Sequence, residues 1–405
     1  MQPGPLGFKR KCCIISSGVD MKLINVIKPT HVCNLSCSYC YNDDERRPFM
    51  DTETLEKVIE QTFSLSRFIG GYKSVEFIWH GGEPLLAPLS YYENIAVLQE
   101  KYAAQTLYSN IIQTNGTLIK KEHLNLFKKH GFQVSLSIDG IKESHDANRV
   151  FRNGKGSFSR ILETINKLRT NGFKIGCVLV LNTKNIKKIK ESYAFFREHK
   201  VGLNIIPLMK GGSANNVFNE LALTQEEYVE AWTSLYDDWL SASNEDYVDV
   251  SCFLHTTRSV ISGSCSSCIG MSQCGIANLS TDPLGNIYPC ASLTGNKNVC
   301  YGNINEKSLI DLFYSDTAVK WRQRSSSVNC SKCKWFHLCH GGCPSRSYHY
   351  YNGEYNIPDH YCQSIKMIYD HVESQILRFG IKPGEIKPNH LTDGFINVDD
   401  LMLRR

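Results

Sequence analysis

From residue 22 to about residue 210, short apolar runs alternate with longer amphipathic segments. Residues 23–27, 75–79, 110–113, 133–138, 174–181 and 203–208 read as strands. Residues 51–64, 90–104, 120–129, 157–170 and 185–199 read as helices, with Ser90 and Glu93 as a capping box and Gly131 and Gly172 as stops. About six such units in succession build a parallel sheet with helices outside. An open sheet and a barrel both fit, and in either the loops after the strands make the active site.

Those loops carry the chemistry. After the first strand comes Cys33-x3-Cys37-x2-Cys40, three thiols in one short loop. A four-iron cluster takes four thiolates, so three leave one iron open to a small molecule. A zinc knuckle is the alternative, but zinc wants a fourth ligand and His31 lies too close to Cys33 to pair with it. After the second strand comes His80-Gly81-Gly82-Glu83-Pro84, after the third Thr114-Asn115-Gly116, and after the fourth Asp139-Gly140. All of them crowd one rim.

The chain has 405 residues and 17 cysteines. Residues 1–20 have no sustained apolar run, so nothing reads as a signal peptide, and no segment reaches the length of a membrane span. Many cysteines without an export signal point to metal ligands in a reducing cytoplasm. The net charge of +5 is modest, and the lysine-rich stretches 120–129 and 184–190 read as solvated helix faces. No nucleic-acid partner and no membrane are expected.

The cysteine loop, with Tyr39 before its third cysteine, resembles the signature of the radical S-adenosylmethionine (SAM) superfamily. The resemblance implies a [4Fe–4S] cluster whose open iron binds SAM, and cleavage of SAM to a radical that abstracts hydrogen from a substrate. It also implies an external electron donor of flavodoxin or ferredoxin type. By the same resemblance Gly82 contacts SAM through its backbone and Glu83 meets its amino group. Ser137 and Arg149 suit the SAM carboxylate, Met209 (or its neighbour Leu208) suits the adenosyl group, and His80 points toward substrate.

Beyond residue 251 the composition shifts to Gly, Asn, Ser and Cys. Cys330-x2-Cys333-x5-Cys339-x3-Cys343, with Phe336 through Pro344 around it, resembles the SPASM domain of peptide-modifying radical SAM enzymes. That resemblance implies two auxiliary [4Fe–4S] clusters. One would use Cys268, Cys274, Cys290 and Cys343, the other Cys330, Cys333, Cys339 and Cys362, with Cys265 a substitute for Cys268. A two-zinc domain is the alternative. Clusters fully ligated by cysteine transfer electrons.

The expected fold is thus α/β: a partial (β/α)6 radical SAM barrel followed by a small cysteine-rich SPASM domain. The expected divisions are a tail at 1–21, the radical SAM core at 22–242, linker and SPASM domain at 243–370, and a tail at 371–405. The anaerobic sulfatase maturases, which oxidise Cys or Ser to formylglycine, resemble the chain throughout. They carry an aspartate base directly after the third SPASM cysteine, where this chain has Ala291. The form Trp79-His80-Gly-Gly-Glu-Pro-Leu-Leu looks more like maturases of ribosomally made peptides. The expected function is therefore an intramolecular crosslink in a precursor peptide, an aromatic-to-aliphatic cyclophane. Formylglycine formation is the alternative, and a zinc-stabilised interaction protein the non-enzyme one.

Overall fold

The computed structural model describes residues 21–42, 49–325 and 328–384. Residues 1–20, with Cys12 and Cys13, and residues 385–405 of the expected C-terminal tail lie outside the described residues.

Six parallel strands alternate with helices in the expected order: β1 Met21–Ile27, β2 Tyr72–Trp79, β3 Leu107–Thr114, β4 Phe132–Ser137, β5 Ile175–Leu181 and β6 Val201–Pro207. Along each strand buried residues alternate with less buried ones. Leu23, Ile27, Val75, Phe77 and Trp79 share a core with Leu55, Val58, Ile59 and Phe63 of the first helix. That helix, Thr52–Ile69, starts where Asp51 accepts from the Thr54 N–H at 2.7 Å and ends at Gly70 in the left-handed region. It runs five residues past the sequence reading because Leu65 and Ser66 are still buried on the core face.

The second helix corrects an expectation. It spans Leu89–Tyr102 with Pro88 at its cap position, so Ser90 sits inside the first turn and makes no capping box. Proline ahead of the helix presets the entry geometry without a side-chain cap. A capping box does form between Thr224 and Glu227, at the head of helix Gln225–Leu240.

The sheet does not end with the six units. Among the described residues it has nine strands, in the order β6-β5-β4-β3-β2-β1-β7-β8-β9. Strand β7, Asn278–Thr281, pairs parallel with β1 from Ile24↔Asn278 to Ile27↔Thr281. Strands β8, Asn286–Tyr288, and β9, Gly302–Asn303, follow antiparallel. The cysteine-rich segment therefore grows from the open edge of the core sheet. The closing helix Cys362–Arg378 packs on helices Gln225–Leu240 and Ser251–Ser262, and so runs across the expected division at 370. No helix among the described residues is long and apolar enough to cross a membrane.

Candidate active site

The loop after β1 carries Cys33, Cys37 and Cys40, all half-buried. Neighbouring loops hold its backbone. The Ser36 N–H donates to Val150 O at 2.8 Å and the Ser38 N–H to Asn148 O at 3.0 Å. The Arg152 guanidinium donates to Cys33 O at 2.9 Å. The Asn34 amide donates to Thr117 Oγ1 at 2.8 Å, and Asn115 donates to Asn34 Oδ1 at 2.8 Å. The Thr-Asn-Gly turn after β3 thus fixes the start of the cysteine loop. Burial pushes the Cys33 thiol up to about 12 and Cys37 to about 11, the latter opposed by the Arg149 guanidinium beside it. Buried thiols of this kind ionise only against positive charge, which a bound metal centre supplies. Among the described residues no three His, Cys, Asp or Glu side chains close on a single ion.

The glycine turn after β2 lies directly on the chain leading into this loop. The Gly82 N–H donates to Thr30 O and the Glu83 N–H to Val32 O, both at 2.9 Å. A Cβ at Gly81 would stand 2.2 Å from Thr30 O, and one at Gly82 2.3 Å from Val32 O. Only glycines allow that approach. Glu83 is fully buried and accepts from Thr114 Oγ1 at 2.6 Å, Asn115 N at 2.8 Å and Leu85 N at 3.0 Å. Burial outweighs these bonds and pushes its carboxyl up to about 7. All three donors are neutral, so the site fits a ligand that brings a cationic or strongly donating group to Glu83.

Ser137 and Arg149 both have partners within the protein. Ser137 Oγ accepts from Gln113 at 3.1 Å. Arg149 is buried against Asp139, with Nε–Oδ2 at 3.1 Å and Nη2–Oδ1 at 3.2 Å, and its guanidinium stacks over Tyr39 at 5.2 Å. Tyr39 in turn donates its hydroxyl to Asp139. Asp139 is thus the hub joining the cysteine loop to the fourth strand's rim, and the sequence offered it only as half of an Asp-Gly turn. Leu208 is buried with Tyr39 and Phe218, whereas its neighbour Met209 is half-buried.

His80 stands beside the cysteine loop. Its Nε2 lies 3.3 Å from Tyr41 Oη, and its Nδ1 accepts from the Gly81 N–H at 2.6 Å. Lys28, only 2 % exposed, donates to Asn42 Oδ1 at 2.7 Å, and Asn42 donates to Gly81 O at 2.8 Å. Burial, and then the Lys28 charge, lower His80 to about 4, so its imidazole is neutral at pH 7. Lys28 escaped the sequence reading, although a lysine at the end of an apolar strand is the signal that could have found it.

In the cysteine-rich segment Cys330, Cys333, Cys339 and Cys362 line one small cavity with Phe336, Gly341, Gly342 and Ile365. Cys268, Cys274, Cys290 and Cys343 form a second group. Burial raises the Cys274 thiol, and the charges of Cys268, Cys343 and Cys290 raise it further. The Cys343 N–H donates to Asp359 Oδ2 at 2.7 Å, and Arg346 pairs with the same carboxylate. Cys265 donates to Ser267 O at 3.0 Å and stands near Cys268.

The comparisons agree with this architecture. The Radical SAM superfamily profile matches residues 27–196, and the SPASM profile, an iron-sulfur cluster-binding domain, matches residues 273–334. A cysteine-type anaerobic sulfatase-maturating enzyme of Clostridium perfringens is 30% identical over 373 residues, covering 87% of this chain and 96% of that one. A serine-type enzyme of Bacteroides thetaiotaomicron is 27% identical over 351 residues, covering 80% and 83%. The solved structure of anSMEcpe with bound AdoMet and the Cp18Cys peptide superposes with a TM-score of 0.77 at 26% identity, covering 88% of this chain and 98% of that one.

Proposed function

The chain belongs to the radical SAM superfamily, in the SPASM-bearing family of the anaerobic sulfatase-maturating enzymes, and on that premise we propose that it oxidises a Cys or Ser side chain of a peptide or protein substrate. Each turnover removes one hydrogen atom from the side-chain Cβ, one proton from its oxygen or sulfur, and one electron. The SAM-binding cluster and SAM, when bound, supply the hydrogen-abstracting radical. The auxiliary clusters take the electron. The chain's own residues do the rest. Cys33, Cys37 and Cys40 hold the SAM-binding cluster. Glu83 takes the SAM amino group. Gly82, whose N–H is already donated to Thr30, offers its carbonyl. Ser137 is proposed for the SAM carboxylate. Arg149 contributes from its place between Asp139 and Cys37. Met209 packs on the adenosyl group and Tyr39 backs the loop.

The observation that carries this reading is the convergence on one rim of the cysteine loop, the glycine turn and the Asp139–Arg149 pair, in a chain similar to the maturases over nearly their whole length. The full-length similarity favours side-chain oxidation over the cyclophane crosslink expected from the sequence. Ala291 keeps the crosslink as a second reading, because a methyl group accepts no proton. For oxidation the proton falls to His80, the neutral base on the same rim. Incubation with SAM, a low-potential reductant and a sulfatase-motif peptide tests the two. A serine peptide that loses two hydrogens and yields a hydrazine-trappable aldehyde supports oxidation. An unmodified motif peptide, together with a product of a ribosomal precursor that loses two hydrogens without an aldehyde and resists fragmentation, overturns it in favour of the crosslink.

A further inference from the structure

Two buried donors converge on one group of auxiliary-cluster cysteines. Gly275, directly after Cys274, has φ +83°, and a Cβ there would stand 2.8 Å from Tyr301 Oη, 3.1 Å from Trp321 Cδ1 and 3.5 Å from Pro289 Cβ. Pro289 directly precedes Cys290. The Tyr301 hydroxyl and the pyrrole edge of Trp321 therefore meet at the backbone between Cys274 and Cys290.

Both side chains are nearly inaccessible, Tyr301 at 4 % and Trp321 at 2 % exposure. Neither Tyr301 Oη nor Trp321 Nε1 has a hydrogen-bond partner among the described residues. A buried donor left without an acceptor costs about 1–3 kcal/mol, so native structures rarely keep one, let alone two at one spot. Both donors lie at Gly275, directly after Cys274, with Pro289, directly before Cys290, beside it, so the sulfurs of a cluster bound by these cysteines are the acceptors that would satisfy them.

The rings are held in place. Trp321 packs on Tyr355 at 4.7 Å between ring centres, and its outer side lines a surface cleft with Asn298, Lys320 and Tyr348. The backbone N–H of Tyr301 donates to Ile287 O at 2.8 Å, which fixes it beside β8. An indole N–H can only donate, so its direction is set by its ring.

We propose that Trp321 and Tyr301 are positioning residues that donate hydrogen bonds to the sulfurs of the auxiliary cluster held by Cys268, Cys274, Cys290 and Cys343, and so raise its reduction potential. Reduction adds negative charge to a cluster and its sulfurs. Donor dipoles aimed at those sulfurs stabilise the reduced form more than the oxidised one. A cluster so poised takes up the electron that substrate oxidation leaves behind. The inference rests on the proposed side-chain oxidation and on this assignment of ligands.

Potentiometric titration followed by electron paramagnetic resonance of the protein carrying all its clusters tests the proposal without reference to product. Trp321→Phe and Tyr301→Phe should each shift one auxiliary cluster to a lower potential by about a tenfold change in its reduction equilibrium, ~59 mV for one electron. The other clusters should not move. Unchanged midpoints with full iron content would overturn it. If Trp321→Phe loses a cluster, wild-type protein labelled with 15N-indole tryptophan decides. A 15N coupling to the reduced auxiliary cluster supports the bond, and its absence refutes it. The ligand assignment is checked apart, since Cys274→Ala should remove one cluster's iron whatever Trp321 does.

Discussion

Glu83 allows the candidate SAM site to be weighed by titration. The rise of its carboxyl from 4.5 to about 7 follows from complete burial among neutral donors. At 1.36 kcal/mol per pH unit that rise is worth about 3 kcal/mol. The folded-state value lies above the unfolded one. The associated stability is therefore fully present below 4.5 and is lost as pH climbs through about 7. A ligand that brings its amino group to this carboxylate favours the ionised form. SAM binding should then expel a proton from Glu83 near neutral pH and tighten as pH rises. One pH unit below its pKa the carboxyl is about nine-tenths protonated, so Kd for SAM should weaken about tenfold between pH 8 and pH 6. Glu83→Gln should bind SAM more weakly and lose that slope. Anaerobic calorimetry in two buffers of different ionisation enthalpy reads both the affinity and the protons released. A wild-type Kd that stays flat over this range, or a Glu83→Gln variant that keeps the wild-type slope, would refute the reasoning.

Other outcomes follow from the same geometry. Anaerobic reconstitution should reach about twelve irons per chain, three four-iron clusters; saturation at four irons with stoichiometric zinc would favour a zinc-stabilised auxiliary domain. Replacing Cys33, Cys37 and Cys40 together with Ala should abolish SAM cleavage and remove about four irons, leaving about eight by iron analysis. Arg149→Met leaves the buried Asp139 carboxylate with only the Tyr39 hydroxyl and the Val180 N–H. It should destabilise the fold by about 3–5 kcal/mol, with Asp139→Asn in the same chain restoring part of it. Thermal unfolding indistinguishable from wild type would mean that the pair carries no net stability.

The strands of the core were legible because each is a run of apolar or alternating residues, most of them bounded by Gly, Asn or Asp. Their parallel pairing followed from the rule that strand–helix–strand units stay parallel. What escaped the sequence was short or distant. Strands β7 to β9 have only 4, 3 and 2 residues, too few for a period to show. Asp139 reads as a turn residue until Arg149, ten positions on, closes on it. The convergence of Tyr301 and Trp321 on Gly275 is likewise invisible in sequence, because Trp321 lies 46 residues beyond that glycine. The cysteines, by contrast, stand out in sequence by their short spacing.

The register between β1 and β7 gives the two cysteine regions their relation. Ile27, the last residue before the loop to Cys33, pairs with Thr281, and the Lys28 N–H donates to Thr281 O at 2.9 Å. From Thr281 the chain turns through Asp282, whose carboxylate accepts from Leu284 N and Asn286 N at 2.9 and 3.0 Å, into β8 and on to Cys290. Two adjacent strand ends thus launch the cysteine loop and the hairpin that leads to the first auxiliary group. Tyr41, next to Cys40, already lies in the field of Cys290. A hydrogen-bonded ladder tolerates no sliding, because a one-residue slip would turn every side chain to the other face. The separation between the cysteine loop and the hairpin that leads to Cys290 is accordingly set by backbone pairing. The same pairing joins the core to the segment 243–370, which the sequence set apart as linker and SPASM domain.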